Sequence, residues 1–442
     1  MKKIMALAWL ALAWTLWAAY AANAQMTWNE QNYRELVDAN SPRTIPPGTR
    51  ITVANWRQYK DFLPISLWAA FGGSYPYHIT ADPQYTIVVE PTTHFAMPSK
   101  WREDGEKYGG QTRLERTPQG GYVMHNWMAG PPFPNPSGPN QGVEIMYNAW
   151  TPLRPFNMHS QSDGWLVDRY GNRTQNTSDD SFFQLSHLSE PNMSTNMSYA
   201  GGMFYVSRFM VIEPEQSKYT TQLQSQPDDP TRVPETYVFL PSLRRSLRLS
   251  SAARCSPILG TDWVQDDNAW NPPYFKVNFL GEKKVLMNIQ DPAKAFSANS
   301  YVGIADSSAG DFPGWPKAGT GHFEPRTVAI IDLEWIPSLG PYCFSHRVFY
   351  VDRETWVPMV IDEYDNQGKF WKMGWNKYAP LDFHGQPFLF LDGYSAPQMI
   401  DFQNVHTTIG WATHPTIDEQ VPEAYRDVAV LSSPGGLDRI LR

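Results

Sequence analysis

Residues 347–375 read RVFYVDRETWVPMVIDEYDNQGKFWKMGW and contain three apolar runs separated by two short polar turns. The runs are Arg347–Asp352, Val357–Tyr364 and Phe370–Trp375, and the turns are Asp352–Glu354 and Asp365–Gly368. Short connections between runs of this kind predict an antiparallel meander. A repeat of roughly ten residues per strand and turn favours a sheet, barrel or sandwich over βαβ units.

Similar short β-type runs recur through most of the chain, between Pro, Gly, Asn and Asp residues. They are Tyr85–Glu90, Tyr122–Met128, Val143–Tyr147, Phe204–Ile212, Thr236–Leu240, Lys284–Ile289 and Thr327–Ile336. Trp28–Val37 reads as a short helix, and Asn55–Ala70 as an amphipathic helix interrupted at Pro64. We therefore predict a mainly β (α+β) fold, with residues 25–442 forming one large domain that begins with a helical segment.

The N-terminus has the pattern of a secretory signal peptide. Positive charge at Lys2 and Lys3 precedes an apolar stretch from Ile4 to Ala22, and Ala22–Ala24 is a small-residue cleavage box. An uncleaved membrane anchor is the alternative. We expect residues 1–24 to be removed, which leaves an exported, soluble chain that begins at Gln25.

Composition narrows the classes of partner. Without Lys2 and Lys3 the chain has 34 basic and 44 acidic residues, a net charge of −10, which argues against nucleic acid and against electrostatic docking on anionic lipid. Aromatic residues make up 14% of the chain and include 18 Trp. This surplus suits a β-rich core, or a cavity for an apolar or ring-bearing ligand.

Cysteine usage leaves two alternatives. Cys255 and Cys343 are the two cysteines of the sequence, and in an oxidising compartment they can form one disulfide. They can equally remain as two buried thiols, because the sequence does not place their Cα atoms within bridging distance.

Motifs of catalysis are missing from the sequence. It has no G-x-S-x-G elbow, P-loop, H-E-x-x-H motif or H-x-H pair, and its ten histidines are scattered. We therefore predict no enzyme activity, no catalytic residues, no cofactor and no metal site, although ligands can also converge from separate strands.

The stretch Tyr237–Leu249 is distinctive because a strand ends at Pro241 and re-emerges with Arg244, Arg245 and Arg248. One interpretation is a hairpin with a solvated basic edge, which prevents strand-to-strand aggregation. The other is a cavity rim at which an arginine pairs with a carboxylate or phosphate headgroup.

Several segments together resemble the bacterial family called domain of unknown function 1329. They are Tyr237–Arg245, Gly260–Trp263 with Asp266 and Asp267, Trp56–Pro64, Ala129–Pro134, Arg353–Pro358 and Tyr364–Lys372. The family is similar to exported proteins that sort outer-membrane lipoproteins. The resemblance implies a half-open, strongly curved antiparallel sheet with packed helices, an apolar cavity and a Gram-negative periplasm. It also implies association with an outer-membrane β-barrel protein and an RND-type exporter.

We therefore predict a periplasmic, non-enzymatic carrier or chaperone for a hydrophobic or lipidated ligand, linked to outer-membrane traffic. The candidate ligand-binding residues are Tyr237, Phe239, Arg244, Arg245, Trp263 and Trp56, with Asn55–Ala70 as a movable lid. The alternatives are a periplasmic hydrolase of lipid or polymer, and a module that binds carbohydrates or aromatic compounds.

Overall fold

The computed structural model describes residues 26–38, 44–72, 85–196, 201–249, 254–289, 322–390 and 395–423. The predicted signal peptide lies outside these residues. The described helices are α1 (Glu30–Asp38), α2 (Ile65–Gly72), α3 (Ser99–Tyr108) and α4 (Gln141–Trp150). None of them combines the length and the apolar character that crossing a membrane would require.

The strands fall into one large sheet and three separate two-stranded pairs. The pairs are β1 (Arg50–Thr52) with β2 (Thr86–Val88), β3 (Arg113–Arg116) with β4 (Tyr122–His125), and β16 (Pro380–Phe383) with β17 (Gln386–Leu389). The large sheet contains β5 (Asn157–Val167), β6 (Arg173–Gln184), β7 (Met203–Glu213), β8 (Thr221–Pro227), β9 (Glu235–Leu240), β10 (Arg245–Arg248), β11 (Phe275–Ile289), β12 (His322–Trp335), β13 (Phe344–Asp352), β14 (Pro358–Asp365), β15 (Phe370–Tyr378), β18 (Ser395–Asp401) and β19 (His406–Ile417).

The large sheet is antiparallel, has 13 strands and is not closed into a barrel. Its order is β10-β9-β8-β7-β6-β5-β19-β18-β15-β14-β13-β12-β11, so β10 and β11 are its edges. The three apolar runs of residues 347–375 belong to neighbouring strands β13, β14 and β15, which are joined by short turns. The predicted mainly β fold with a large curved sheet is confirmed.

The two faces of the sheet are covered by different parts of the chain. Val348, Tyr350 and Asp362 share one face by register, and α1 and α2 cover it; we call this the helix face. Arg347 and Glu363 point to the opposite face. There α4 and residues 254–274 lie against the strands, and we call it the loop face.

Contacts of neighbouring loop residues show that the sheet curves around its loop face. The Asp267 carbonyl accepts a hydrogen bond from Arg347 on β13, while the amide of Asn268 donates to Gln224 on β8. These strands are eight positions apart in the sheet, which is about 38 Å in a flat sheet. Two adjacent residues reach both strands only because the sheet bends.

The structure corrects two local predictions. Val143–Tyr147, predicted as a strand, is part of helix α4. Val143, Met146, Tyr147 and Trp150 are buried at helical spacing, and a five-residue window is too short to reveal that period. Asn55–Ala70 is two 3₁₀ turns, Trp56–Gln58 and Lys60–Phe62, followed by α2 after Pro64. Helix α2 is buried around most of its circumference rather than amphipathic.

Candidate functional site

Helix α2 is an unusual element because its sequence, ISLWAAFG, has no polar side to turn toward water. Its residues other than Trp68 and Gly72 are buried within the largest apolar core. A helix that is apolar all round must be enclosed by other elements. Phe71 stacks on Trp56 from the preceding 3₁₀ turn, with ring centroids 5.7 Å apart.

A polar cluster on the helix face anchors the N-terminus of α2. The Tyr350 hydroxyl accepts a hydrogen bond from the Ile65 backbone N–H (3.0 Å) and donates one to Asp362 Oδ2 (3.0 Å). Tyr33 of α1 also donates to Asp362 Oδ2 (3.0 Å), and its hydroxyl lies 2.7 Å from that of Tyr364. We call Tyr33, Tyr350, Asp362 and Tyr364 the tyrosine–aspartate anchor.

Burial determines the protonation of this anchor. It raises the pKa of Asp362 to about 6, although Ser66, Tyr33 and Tyr350 act in the opposite direction. Burial also raises the pKa of Tyr33 and of Tyr350 well above the usual value, so both hydroxyls keep their protons. Near neutral pH, α2 is therefore held by two neutral phenols and a carboxylate that lies close to its titration point.

The contribution of Asp362 to stability should decrease as pH rises from about 4 to 7, since Asp362 binds its proton more tightly in the folded protein than in the unfolded chain. A rise in the pKa of Asp362 from its usual value to about 6 corresponds to about 3 kcal/mol of unfolding free energy. This contribution is fully present below the pKa of Asp362 in the unfolded chain. It is lost as the pH rises through the pKa of Asp362 in the folded protein. In urea unfolding, Asp362→Asn should therefore remove this contribution from the difference in stability between pH 5 and pH 7.5. Glu103→Gln, a change at an exposed position of α3, should leave that difference as in the wild type. An unchanged difference in D362N would contradict the assignment.

On the loop face, buried charges hold residues 254–274 against the sheet. Arg347 donates to Glu363 Oε1 (2.9 Å) and to the carbonyl oxygens of Asp266 (3.2 Å) and Asp267 (3.1 Å). Lys372 donates to the Asp262 carbonyl at 2.6 Å. The segment that carries the Gly260–Trp263 motif is thus tied to β13 and β15.

A disulfide closes the same segment. Cys255 and Cys343 are bonded, with Cα atoms 5.4 Å apart, so the first of the two alternatives for the cysteines is correct. Asp266 lies beside the bond, accepting from Arg254 (2.5 Å) and from the Cys343 N–H (3.0 Å). Cys255, Cys343 and Asp266 lie within the span of a metal site, but bonded sulfurs are not thiolate ligands.

On the loop face, His406 lies near an aspartate and a threonine, residue types found in catalytic triads, but the three side chains are not arranged as a triad. His406 Nδ1 lies 2.9 Å from Asp262 Oδ2, and this hydrogen bond, with the charge of Asp262, raises the pKa of His406. The Thr408 hydroxyl, however, donates to Asp262 at 2.7 Å. In a nucleophilic triad the hydroxyl would instead donate to the imidazole, so this arrangement does not activate Thr408.

Two pockets lie close to the loop face. A small one of about 50 Å³ is lined by Trp150, Arg154, Tyr205, Ser207, Gln224, Asn268 and Trp270. It has room for a few waters or a small polar group. A wider, open cleft of about 490 Å³ lies between α3, α4 and the loop at Phe133–Ser137. The first is too small for an acyl chain, and the second is open to solvent rather than enclosed.

The predicted hairpin residues lie at the edge of the sheet. Tyr237 and Phe239 on β9 pack in a separate small core with Leu223. Arg244 occupies the turn with a φ of 49°, and Arg245 begins the exposed edge strand β10. Both arginines are exposed, and their role in ligand binding stays a prediction.

The two predicted tryptophans lie elsewhere. Trp56 is buried beside α2, whereas Trp263 is half-buried in the segment on the loop face. Of the six predicted residues, Trp56 is therefore the one found at the α2 site. The anchor residues were missed; the signal in the sequence was an Asp inside an apolar strand, Asp362 in PMVIDEY.

Comparisons with known proteins give a family and distant structural neighbours. The family model described as "Protein of unknown function (DUF1329)" matches residues 50–425. No curated protein sequence matches the chain.

Three solved structures illustrate the neighbours. A putative outer membrane lipoprotein-sorting protein domain from Vibrio parahaemolyticus is 12% identical, with 66% of this chain and 99% of that chain covered and a TM-score of 0.45. A DUF1329 family protein from Desulfovibrio piger is 12% identical, with coverages of 66% and 97% and a TM-score of 0.46. A LolA superfamily protein from Nitrosomonas europaea is 12% identical, with coverages of 64% and 96% and a TM-score of 0.37.

Proposed function

The chain belongs to the DUF1329 family, and we propose that it is a non-enzymatic carrier for a hydrophobic or lipidated ligand. In this proposal α2 occupies the ligand's place when the carrier is empty, and moves aside when an acyl chain enters. In this proposal, residues 1–24 direct export to the periplasm and are then removed. The intact mass of the exported chain tests this, because it should correspond to a chain that begins at Gln25.

The observation that carries the proposal is an apolar helix enclosed by the sheet and anchored by polar contacts at its N-terminus. The sheet positions that share a face with Asp362 include Val348, Val360, Met373 and Trp375, all buried in the same core as α2. If α2 withdrew, these positions would form an apolar trough. Apolar burial provides about 25 cal/mol per Å², so an acyl chain could replace the contacts that the helix gives up.

The polar groups of the site support binding rather than chemistry. Tyr350 and Asp362 make their hydrogen bonds with α1, with α2 or with each other, and Thr408 on the other face is not activated. Transport also needs release, and a helix held by a small number of hydrogen bonds suits reversible opening. The ligand's traffic to the outer membrane, through a β-barrel protein and an RND-type exporter, is part of the same proposal.

Loosening the anchor should increase the affinity for an apolar ligand. Tyr350→Phe removes the acceptor of the Ile65 N–H and the donor to Asp362, and losing one such bond costs about 1–2 kcal/mol. If the closed form predominates, the affinity for a fluorescent fatty-acid analogue should rise by about 5- to 30-fold. Fluorescence titration of the mature protein, with displacement by palmitate, measures this change.

Tyr378→Phe is the matched control, because this buried tyrosine donates to the Pro358 carbonyl (3.0 Å). It should leave the affinity near that of the wild type. An equal gain in both variants would mean that general loosening of the core, not the α2 anchor, admits the probe. No binding of the analogue or of palmitate by any folded variant would overturn the carrier proposal.

A further inference from the structure

Three side chains from distant parts of the chain converge beside the β16–β17 hairpin. Glu190 follows β6, His384 lies in the turn between β16 and β17, and Asp418 follows β19. Their ligand atoms all lie within 4.8 Å of one another. His384 Nε2 is 2.7 Å from Glu190 Oε2 and 3.8 Å from Asp418 Oδ2.

Each carboxylate is oriented by a backbone group of β5 or the residue before it. Glu190 Oε1 accepts from the Phe156 N–H (2.9 Å), and Asp418 Oδ1 accepts from the Asn157 N–H (3.4 Å). The other oxygen of each carboxylate is turned toward His384. Hydrogen bonds of this kind, from outside a donor set, are what orient the ligands of protein metal sites.

From this convergence we propose that Glu190, His384 and Asp418 form a binding site for a divalent transition-metal ion, with Zn²⁺ the best fit. Imidazole nitrogen and carboxylate oxygen bind Zn²⁺ at about 2.0–2.2 Å, which in a tetrahedron separates donors by about 3.3–3.5 Å. The two distances from His384, 2.7 and 3.8 Å, bracket this value.

Charge and access agree with this assignment. Two carboxylates with little exposure and one imidazole provide a net negative site, which a divalent cation neutralises. The side chain of His384 is 34% exposed, so an ion can reach the imidazole from solvent. A water molecule would complete the coordination of the ion. Binding displaces the proton between His384 Nε2 and Glu190, which is released to solvent.

The ion would join parts of the fold that are far apart in sequence. It would tie the β16–β17 hairpin to the segment after β6 and to the end of β19. The separations of the three residues along the chain match no metal-binding sequence motif, so motif spacing does not reveal the site.

Calorimetric titration of the mature, metal-free protein with ZnCl₂ tests the proposal. We expect one Zn²⁺ per chain with micromolar or tighter affinity, and a loss of at least tenfold in His384→Ala and in Asp418→Asn. His94→Ala is the matched control, because His94 lies 2.7 Å from one carboxylate, that of Glu354. It should bind as the wild type does.

Thermal unfolding with and without ZnCl₂ provides a second measurement, which remains informative for a variant that is less stable than the wild type. Zinc should raise the melting temperature of the wild type and of H94A, but not of H384A or D418N. Absence of saturable binding to the wild type would overturn the proposal. Equal zinc affinity in H384A and in the wild type would also overturn it, because the ion would then bind elsewhere. So would destabilisation of H384A together with no effect of zinc on the wild type, because the three residues would then be a hydrogen-bonded cluster only.

Discussion

Replacing Arg347 with methionine should lower the free energy of unfolding by about 3–5 kcal/mol at pH 9, since removing one partner of a buried ion pair leaves the other charge uncompensated. Arg347 is buried, and its Nη2 lies 2.7 Å from Glu363 Oε1. The variant also loses the hydrogen bonds to the carbonyl oxygens of Asp266 and Asp267. Urea unfolding monitored by tryptophan fluorescence measures the loss.

The pH dependence separates the charge effect from the packing effect. Burial and the nearby Asp267 raise the pKa of Glu363 to about 8 although Arg347 lowers it, and removing Arg347 raises this pKa further. In Arg347→Met the carboxyl can therefore take up a proton, and the loss should shrink from pH 9 toward pH 7. Lys276→Met is the control. It breaks the exposed pair with Glu334 (2.7 Å) and should cost at most about 1 kcal/mol. A similar small cost for R347M at pH 9 would contradict the role given to the buried pair.

Removing the disulfide should lower the free energy of unfolding by a similar amount. Cys255 and Cys343 are 88 residues apart in sequence, and closing a loop of that length removes about 4–5 kcal/mol of chain entropy from the unfolded state. Cys255→Ser combined with Cys343→Ser should lose most of this stability. Equilibrium unfolding in urea, compared with the oxidised wild type, measures it.

The reduced wild type provides the control for side-chain changes. If the bond itself stabilises the protein, reduced wild type and the double variant should unfold at the same urea concentration. Thiol titration of the denatured, unreduced wild type should find no free thiol. Two free thiols, or equal stability with and without reductant, would contradict the assignment.

The sequence predicted the parts of the fold whose strands have one apolar face. The meander β13–β14–β15 and the β9–β10 hairpin follow from apolar runs bounded by turn residues, and the structure confirms both. Strands β5 and β6 were not predicted, because their sequences, NMHSQSDGWLV and RTQNTSDDSFFQ, are rich in polar residues on both faces. Their pairing partners determine that they are strands, and a single run does not contain that information.

The site was harder to predict because it depends on contacts between distant residues. Tyr33 is more than 300 residues from Asp362, yet their side chains share a hydrogen bond. The sequence shows an Asp inside an apolar strand but does not show which phenols reach it. The tryptophan surplus was more easily noticed, yet Trp56 lies beside α2 and Trp263 lies on the loop face. Most tryptophans of the described residues lie in an apolar core or pack against one.

Hydrogen–deuterium exchange at the backbone amides of α2 tests the carrier account most directly. In the empty mature protein the amides of Ile65–Gly72 should be well protected, because the helix is buried. With saturating palmitate the same amides should exchange faster, while those of β13 and β14 keep their protection. Bound palmitate with unchanged protection of α2 would contradict the claim that this helix occupies the ligand's place.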